Sequence, residues 1–93
     1  TGDTEGAVGL EPIPEKWKSF GWNVIIIDGH NMRQTLEALD KAAAAKSRPT
    51  AIIMKTVKGK GVSFMENNAG FHGRACTDEE YPKAVEELKA VIQ

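Results

Sequence analysis

The side chains best suited to chemistry crowd into residues 55–74, which read Lys55-Thr56-Val57-Lys58-Gly59-Lys60-Gly61-Val62-Ser63-Phe64-Met65-Glu66-Asn67-Asn68 and then Phe71-His72-Gly73-Arg74. Lysines beside glycines present ammonium groups and bare backbone N–H groups to an anion, as phosphate binding requires. The segment carries a net charge of +3, while residues 78–93 carry −3. The plain alternative for Lys58 and Lys60 is a solvated turn after a strand. The run is not a Walker loop, because no Gly-Lys-Ser or Gly-Lys-Thr follows a glycine at the required spacing. Nor is it a dinucleotide fingerprint, since Phe64 stands where the third glycine belongs.

His72 follows Ala69-Gly70 and precedes Gly73, on a loop rather than an apolar face. An imidazole there can donate to a substrate oxygen or move a proton near neutral pH; the alternative is a merely exposed loop histidine. His30, directly after Asp28-Gly29, either contributes to a crevice or orders the turn by hydrogen bonding, and the second reading is preferred. Cys76 has no cationic or helix-start neighbourhood to activate it. Two histidines and one cysteine dispersed along the chain make no metal site. Trp17, Phe20 and Trp22 read as core or interface packing, not as platforms for base stacking.

The elements that must position these groups follow from periodicity. Residues 1–13, with Gly2, Gly6, Gly9 and Pro12, read as an arm or linker. Pro14 opens a short helix to about Phe20, stopped by Gly21. Val24 to Ile27 form an unbroken branched run, as expected of a strand covered on both faces. Asn31 is a candidate N-cap. Met32, Leu36, Leu39 and Ala43 form a helical stripe over about 32–46, and Ala51 to Met54 start a second strand running to Val57. A crossover of that length makes the strands parallel, a βαβ unit in an α/β fold with flanking helices. Ligands approach the carboxyl ends of parallel strands, so Gly29-His30 and Lys58 to Gly61 are expected at one crevice. A last helix near 80–92 carries Tyr81, Val85, Leu88 and Ile92. Thr77 and Glu80 have capping-box spacing, but Pro82 argues for a start near Tyr81.

Ninety-three residues make one small domain at most, with a thin core. A net charge of −1 argues against nucleic acid or a polybasic membrane contact. A single cysteine fits a reducing, cytoplasmic setting. No apolar stretch approaches the ~20 residues that span a bilayer. A start at Thr1, without methionine and already loop-like, suggests a piece of a longer protein.

The chain resembles the transketolases, above all the N-terminal subunit of split forms. The likeness rests on the Thr-Gly-Asp-Thr-Glu opening, Leu10-Glu11-Pro12, the Lys16 to Trp22 segment, Asp28-Gly29-His30, and the run from Lys55 through Asn67 followed by an aromatic-His-Gly motif. Deoxyxylulose phosphate synthase shares the Asp-Gly-His turn but matches the lysine–glycine run less well. The resemblance implies that residues 1–93 are the C-terminal part of a thiamine diphosphate-binding domain. The parent would be a dimeric pentose phosphate pathway enzyme that moves a two-carbon ketol unit between sugar phosphates, using thiamine diphosphate and Mg²⁺. It implies a catalytic role for His72, cofactor contacts from Lys58 and His72, and phosphate contacts from Lys60 and Arg74. No Gly-Asp-Gly occurs in the chain, so the metal ligands would lie upstream of Thr1 and the pyrimidine-binding subunit would be a separate partner. The chain alone would be inactive. Phe71 stands for a usual tryptophan, Asn31 for an aspartate and Cys76 for a proline; none of these removes a catalytic group. The rival reading is a catalytically silent βαβ fragment that is structural or self-associating. A stand-alone anion-binding module is weaker still.

Overall fold

The computed structural model describes residues 2–91. Thr1 of the opening motif and Ile92 of the last apolar stripe lie outside the described residues. In chain order the elements are α1 (Thr4–Ala7), α2 (Ile13–Ser19), β1 (Asn23–Asp28), α3 (Met32–Ala44), β2 (Thr50–Lys55), a 3-10 turn (Ala69–His72) and α4 (Tyr81–Ala90). They fall into two compact units. One runs from Gly9 to Thr56; the other joins the stretch up to Val8 with Val57 onwards. Among the described residues no helix is long and apolar enough to cross a membrane.

The first unit is the expected βαβ motif. β1 and β2 pair in parallel, from Asn23 opposite Thr50 to Asp28 opposite Lys55. Gln34 of α3 accepts the Asp28 N–H on its side-chain oxygen at 2.8 Å, tying the helix start to the end of β1. Asn31 caps α3 as expected, accepting from the Gln34 N–H at 3.0 Å. α2 opens with Pro14 in its first turn and closes where the Gly21 N–H reaches the Lys18 carbonyl.

Burial is incomplete on both the strands and α3. The strands are not covered on both faces within this chain: Ile27 is buried, but Ile26 is 48 % exposed. The apolar stripe of α3 is also exposed, with Leu36 at 56 % and Met32 and Leu39 higher or similar. The buried face of α3 is instead a small-residue one, on which Ala38 is 1 % exposed. An alanine lets a helix approach a sheet of branched side chains closely, and close packing rather than side-chain bulk decides which face turns in. Burying one isoleucine such as Ile27 contributes about 1.5–3 kcal/mol, so this thin core leaves an unusual share of the apolar surface uncovered.

Element ends also shift. β2 stops at Lys55 rather than Val57, α3 at Ala44 rather than residue 46, and the arm holds one helical turn, α1, capped by Asp3. Trp17 and Trp22 meet edge to face with centroids 4.7 Å apart, whereas Phe20 is 81 % exposed.

Candidate functional site

Lys58 to Asn67 form a closed loop whose neck is the Asn67 N–H to Lys58 carbonyl bond of 2.8 Å. Gly59 lies at φ +74°, and a Cβ there would run into the Met65 carbonyl. Only glycine meets both demands, so the turn that separates Lys58 from Lys60 is built on it. Asn67 takes φ +54°, a conformation asparagine tolerates better than most residues. Val62, buried, anchors the loop in the core of this unit together with Ala84 of α4.

Two carboxylates hold the loop from within. Glu66 accepts the Gly61 N–H at 3.1 Å. Glu87 of α4 accepts the Ser63 N–H through both oxygens, at 3.3 and 3.2 Å. The backbone donors expected to face an anion at these two positions are therefore already bonded to the chain's own anions. What the loop presents outward is the pair of ammonium groups on Lys58 and Lys60. Both residues are exposed, and among the described residues neither ammonium meets a carboxylate at ion-pair distance.

His72 ends the 3-10 turn rather than sitting in an irregular loop. Asn68 makes that turn: its side-chain oxygen accepts the Gly70 N–H at 3.0 Å and its carbonyl accepts the Phe71 N–H at 3.1 Å. Phe71 packs on Phe64 with ring centroids 6.0 Å apart. The His72 side chain is exposed, and among the described residues no hydrogen bond occupies its ring. It is available to an incoming ligand.

Arg74 is engaged within the chain. Its guanidinium donates to Glu80 at 3.0 and 3.4 Å and to the Ala75 carbonyl at 3.1 Å, and lies 3.9 Å over the Phe71 ring. Glu80 also accepts the Thr77 N–H at 2.9 Å, while the Thr77 hydroxyl accepts the Glu80 N–H at 3.1 Å. This is the reciprocal capping-box pattern, although α4 itself begins at Tyr81 with Pro82 in its first turn. The Arg74 hydrogen bond, followed by the Thr77 N–H, holds the Glu80 carboxyl down from its ordinary 4.5 to about 2. The same hydrogen bond raises Arg74 above its usual value.

His30 lies in the other unit. Asp28 accepts the His30 backbone N–H at 2.9 Å, and the Gly29 N–H reaches the Lys55 carbonyl at 2.8 Å. A Cβ on Gly29 would press on Thr56 and Met54, so the turn after β1 needs that glycine. Cys76 has the Met65 sulfur at 4.0 Å. Among the described residues no group of three or more His, Cys, Asp or Glu side chains comes together as metal ligands. An open depression of about 410 Å³ on α4, lined by Tyr81, Pro82, Val85, Glu86 and Lys89, includes none of the candidate residues.

A parallel βαβ motif, followed in the chain by a glycine-turned loop with two outward lysines, defines an α/β domain piece able to meet an anion. The family of transketolase thiamine diphosphate binding domains matches residues 1–90. The chain is 42 % identical over 80 residues to a 6-deoxy-6-sulfo-D-fructose transketolase subunit of Clostridium sp. strain MSTE9, covering 86 % of this chain and 29 % of that one. It is 34 % identical over 93 residues to an apulose-4-phosphate transketolase subunit of Phocaeicola vulgatus, covering all of this chain and 33 % of that one. Human transketolase is 34 % identical over 84 residues, 90 % of this chain and 13 % of its own length. The chain belongs to the transketolase family and lies within its thiamine diphosphate binding domain. It spans a third or less of the length of these relatives.

Proposed function

We propose that this chain is the C-terminal part of the diphosphate-binding domain of a transketolase, and that its segment from Val57 to Ala90 forms one wall of the cofactor and substrate pocket. The observation that carries this reading is the set of unengaged polar groups: Lys58, Lys60 and His72 face outward while the neighbouring loop donors and Arg74 are already bonded. The donor chemistry fits the phosphate end of thiamine diphosphate, since two ammonium groups on a rigid turn suit phosphate oxygens. Lys58 is assigned to the cofactor diphosphate, Lys60 to the anionic group of the sugar, and His72 to both the pocket and proton transfer. Mg²⁺ belongs to residues elsewhere in the complete enzyme, because it takes carboxylate, amide and phosphate oxygens in octahedral array.

In the complete enzyme the C2–C3 bond of a ketose phosphate breaks and a new bond to an aldose phosphate forms, with the bound cofactor supplying the electron sink. His72 donates to, or takes a proton from, a substrate hydroxyl during that exchange. Lys60 orients the far end of the sugar, which limits the poses available to the reacting carbons. Anionic sugars as the substrate class agree with the +3 segment, and with relatives named for a sulfo-sugar and a sugar phosphate. Two of those relatives are named as subunits, which supports a partner that completes the site. The assembly proposed on that basis is multi-chain, dimer-based and cytoplasmic.

His72→Ala in the assembled enzyme tests the reading. Turnover should fall by ~10²-fold or more, much more than cofactor binding weakens, because proton transfer is used in the transition state. A steady-state rate near that of the unsubstituted enzyme would instead favour a silent structural fragment, a reading that the exposed stripe of Met32, Leu36 and Leu39 also supports.

A further inference from the structure

Charge and position suggest a phosphate contact for Arg74, yet its guanidinium is engaged within the chain. The planar head is held along its edge by the Glu80 carboxylate and across its face by the Phe71 ring. Glu80 in turn is fixed by the Thr77 capping interaction at the start of α4, and Phe71 is backed by Phe64. His72 follows Phe71 directly and precedes Arg74 by two residues, so a tied residue stands on each side of it. Upstream the tie is the Asn68 cap and Phe71; downstream it is Arg74 on Glu80.

An exposed ion pair alone contributes little to stability, because water and salt screen it and two long side chains lose freedom. The value of this pair lies in geometry. A guanidinium offers a bidentate fork and a flat face at once, which an ammonium cannot do.

We infer that Arg74 and Glu80 form a clamp that positions His72 for proton transfer, and that Arg74 is not a phosphate ligand. The inference rests on the assignment of His72 to proton transfer. Loosening the clamp lets the imidazole drift, and a displacement on the order of 1 Å costs up to ~10²-fold in rate. Substrate affinity, to which Lys60 contributes, stays where it is.

The test uses Arg74→Lys and Glu80→Gln in the assembled enzyme, each also combined with His72→Ala. Glu80→Gln keeps an oxygen for the Thr77 N–H, and Arg74→Lys keeps the charge, so both preserve the fold. Each single variant should lower kcat by about tenfold or more with KM for the sugar phosphate unchanged within about twofold, and each should cost nothing further once His72 is alanine. Raised KM with kcat retained in Arg74→Lys would make Arg74 a phosphate ligand and overturn the clamp, as would losses that add to that of His72→Ala. Should His72→Ala itself prove silent, the proton-transfer assignment fails, and hydrogen exchange at the His72 and Gly73 amides then decides the clamp separately. Faster exchange in Glu80→Gln supports it, and unchanged exchange overturns it.

Discussion

Glu87 on α4 accepts the Ser63 backbone N–H with both carboxylate oxygens, at 3.2 and 3.3 Å, bridging 24 residues of chain. Leu88 lies on the same side, against Gly61, where an added Cβ would come within 3.2 Å of its methyl carbon. α4 thus supports the lysine loop through one polar and one apolar contact. Together with Glu66 on the Gly61 N–H, this leaves the loop shaped by internal carboxylates before any ligand arrives.

Removing that support should free the loop without unfolding the unit. Glu87→Ala leaves the Ser63 N–H to water, and a lost hydrogen bond of this kind costs about 1 kcal/mol. Amide exchange at Ser63 should then quicken by roughly fivefold, the equivalent of that energy. Exchange at Ser63 equal to that of the unsubstituted chain would show that the bond is not formed in solution.

Gly59→Ala tests the turn itself. The substitution forces alanine to φ +74° and sets its Cβ against the Met65 carbonyl. A strained backbone of that kind costs on the order of 1–3 kcal/mol, and the outward spacing of Lys58 and Lys60 is lost with it. The variant should unfold at lower denaturant and bind inorganic pyrophosphate more weakly in the assembled enzyme. Unaltered values of both would mean that the loop has other shapes available.

The βαβ core is legible in the sequence because branched runs of residues and a crossover of sufficient length leave few alternatives. Asn31 as a cap and Gly21 as a stop are legible too, since capping chemistry is local. The packed face of α3 is not. A stripe of Met32, Leu36 and Leu39 looks inward by hydrophobicity, but Ala38 is the buried residue of α3, and the larger side chains stay uncovered within these residues. The Arg74–Glu80 pair is hidden in the sequence for a related reason. Charge next to a histidine suggests a ligand, whereas the spacing of Glu80 from Thr77 signals only a capping box and not an arginine partner. The bonds from Glu66 and Glu87 to loop N–H groups join residues whose spacing carries no local signature, although the two asparagines at 67 and 68 hint at a turn.

The α3 arrangement predicts opposite responses on the two faces. Ala38→Leu inserts three extra carbons into a closely packed contact and should cost about 1–3 kcal/mol. Leu36→Ser, on the exposed face, should change the stability of the isolated chain by no more than about 0.5 kcal/mol. It should also reduce self-association seen by sedimentation, because exposed apolar patches drive contacts between chains. Denaturation midpoints that reverse this order would place the apolar stripe against the sheet after all.

Acid should release the Arg74–Glu80 clamp only at strongly acidic pH, as the Glu80 carboxyl takes up its proton. Glu80 has its carboxyl lowered from 4.5 to about 2 by Arg74 and then Thr77. A lowered carboxyl contributes stability that is fully present above its unfolded value and is lost as pH falls through its folded one. The contribution therefore fades between about 4.5 and about 2, and is unchanged near neutrality. Proton titration followed by NMR at the Glu80 carboxyl carbon should show a midpoint near the lower figure, moving toward 4.5 in Arg74→Ala. A midpoint already at the ordinary value in the unsubstituted chain would show that the pair is not formed.

Separated from its partners, this chain should neither hold thiamine diphosphate tightly nor transfer ketol groups. The proposed diphosphate contacts from this side are ammonium groups on an exposed loop, and exposed charges are weakened by salt. The loop N–H groups of Gly61 and Ser63 add nothing while Glu66 and Glu87 occupy them. Among the described residues no cluster of carboxylate and imidazole ligands stands ready to bring Mg²⁺ to the phosphates. Calorimetric titration of the chain with cofactor and Mg²⁺ should give, at most, weak heat that declines as salt is raised. Adding the rest of the enzyme should restore saturable, Mg²⁺-dependent binding, and Lys58→Ala should weaken it. Saturable micromolar binding by the chain alone would place a complete diphosphate site within these residues and overturn the division of labour proposed for Lys58, Lys60 and His72.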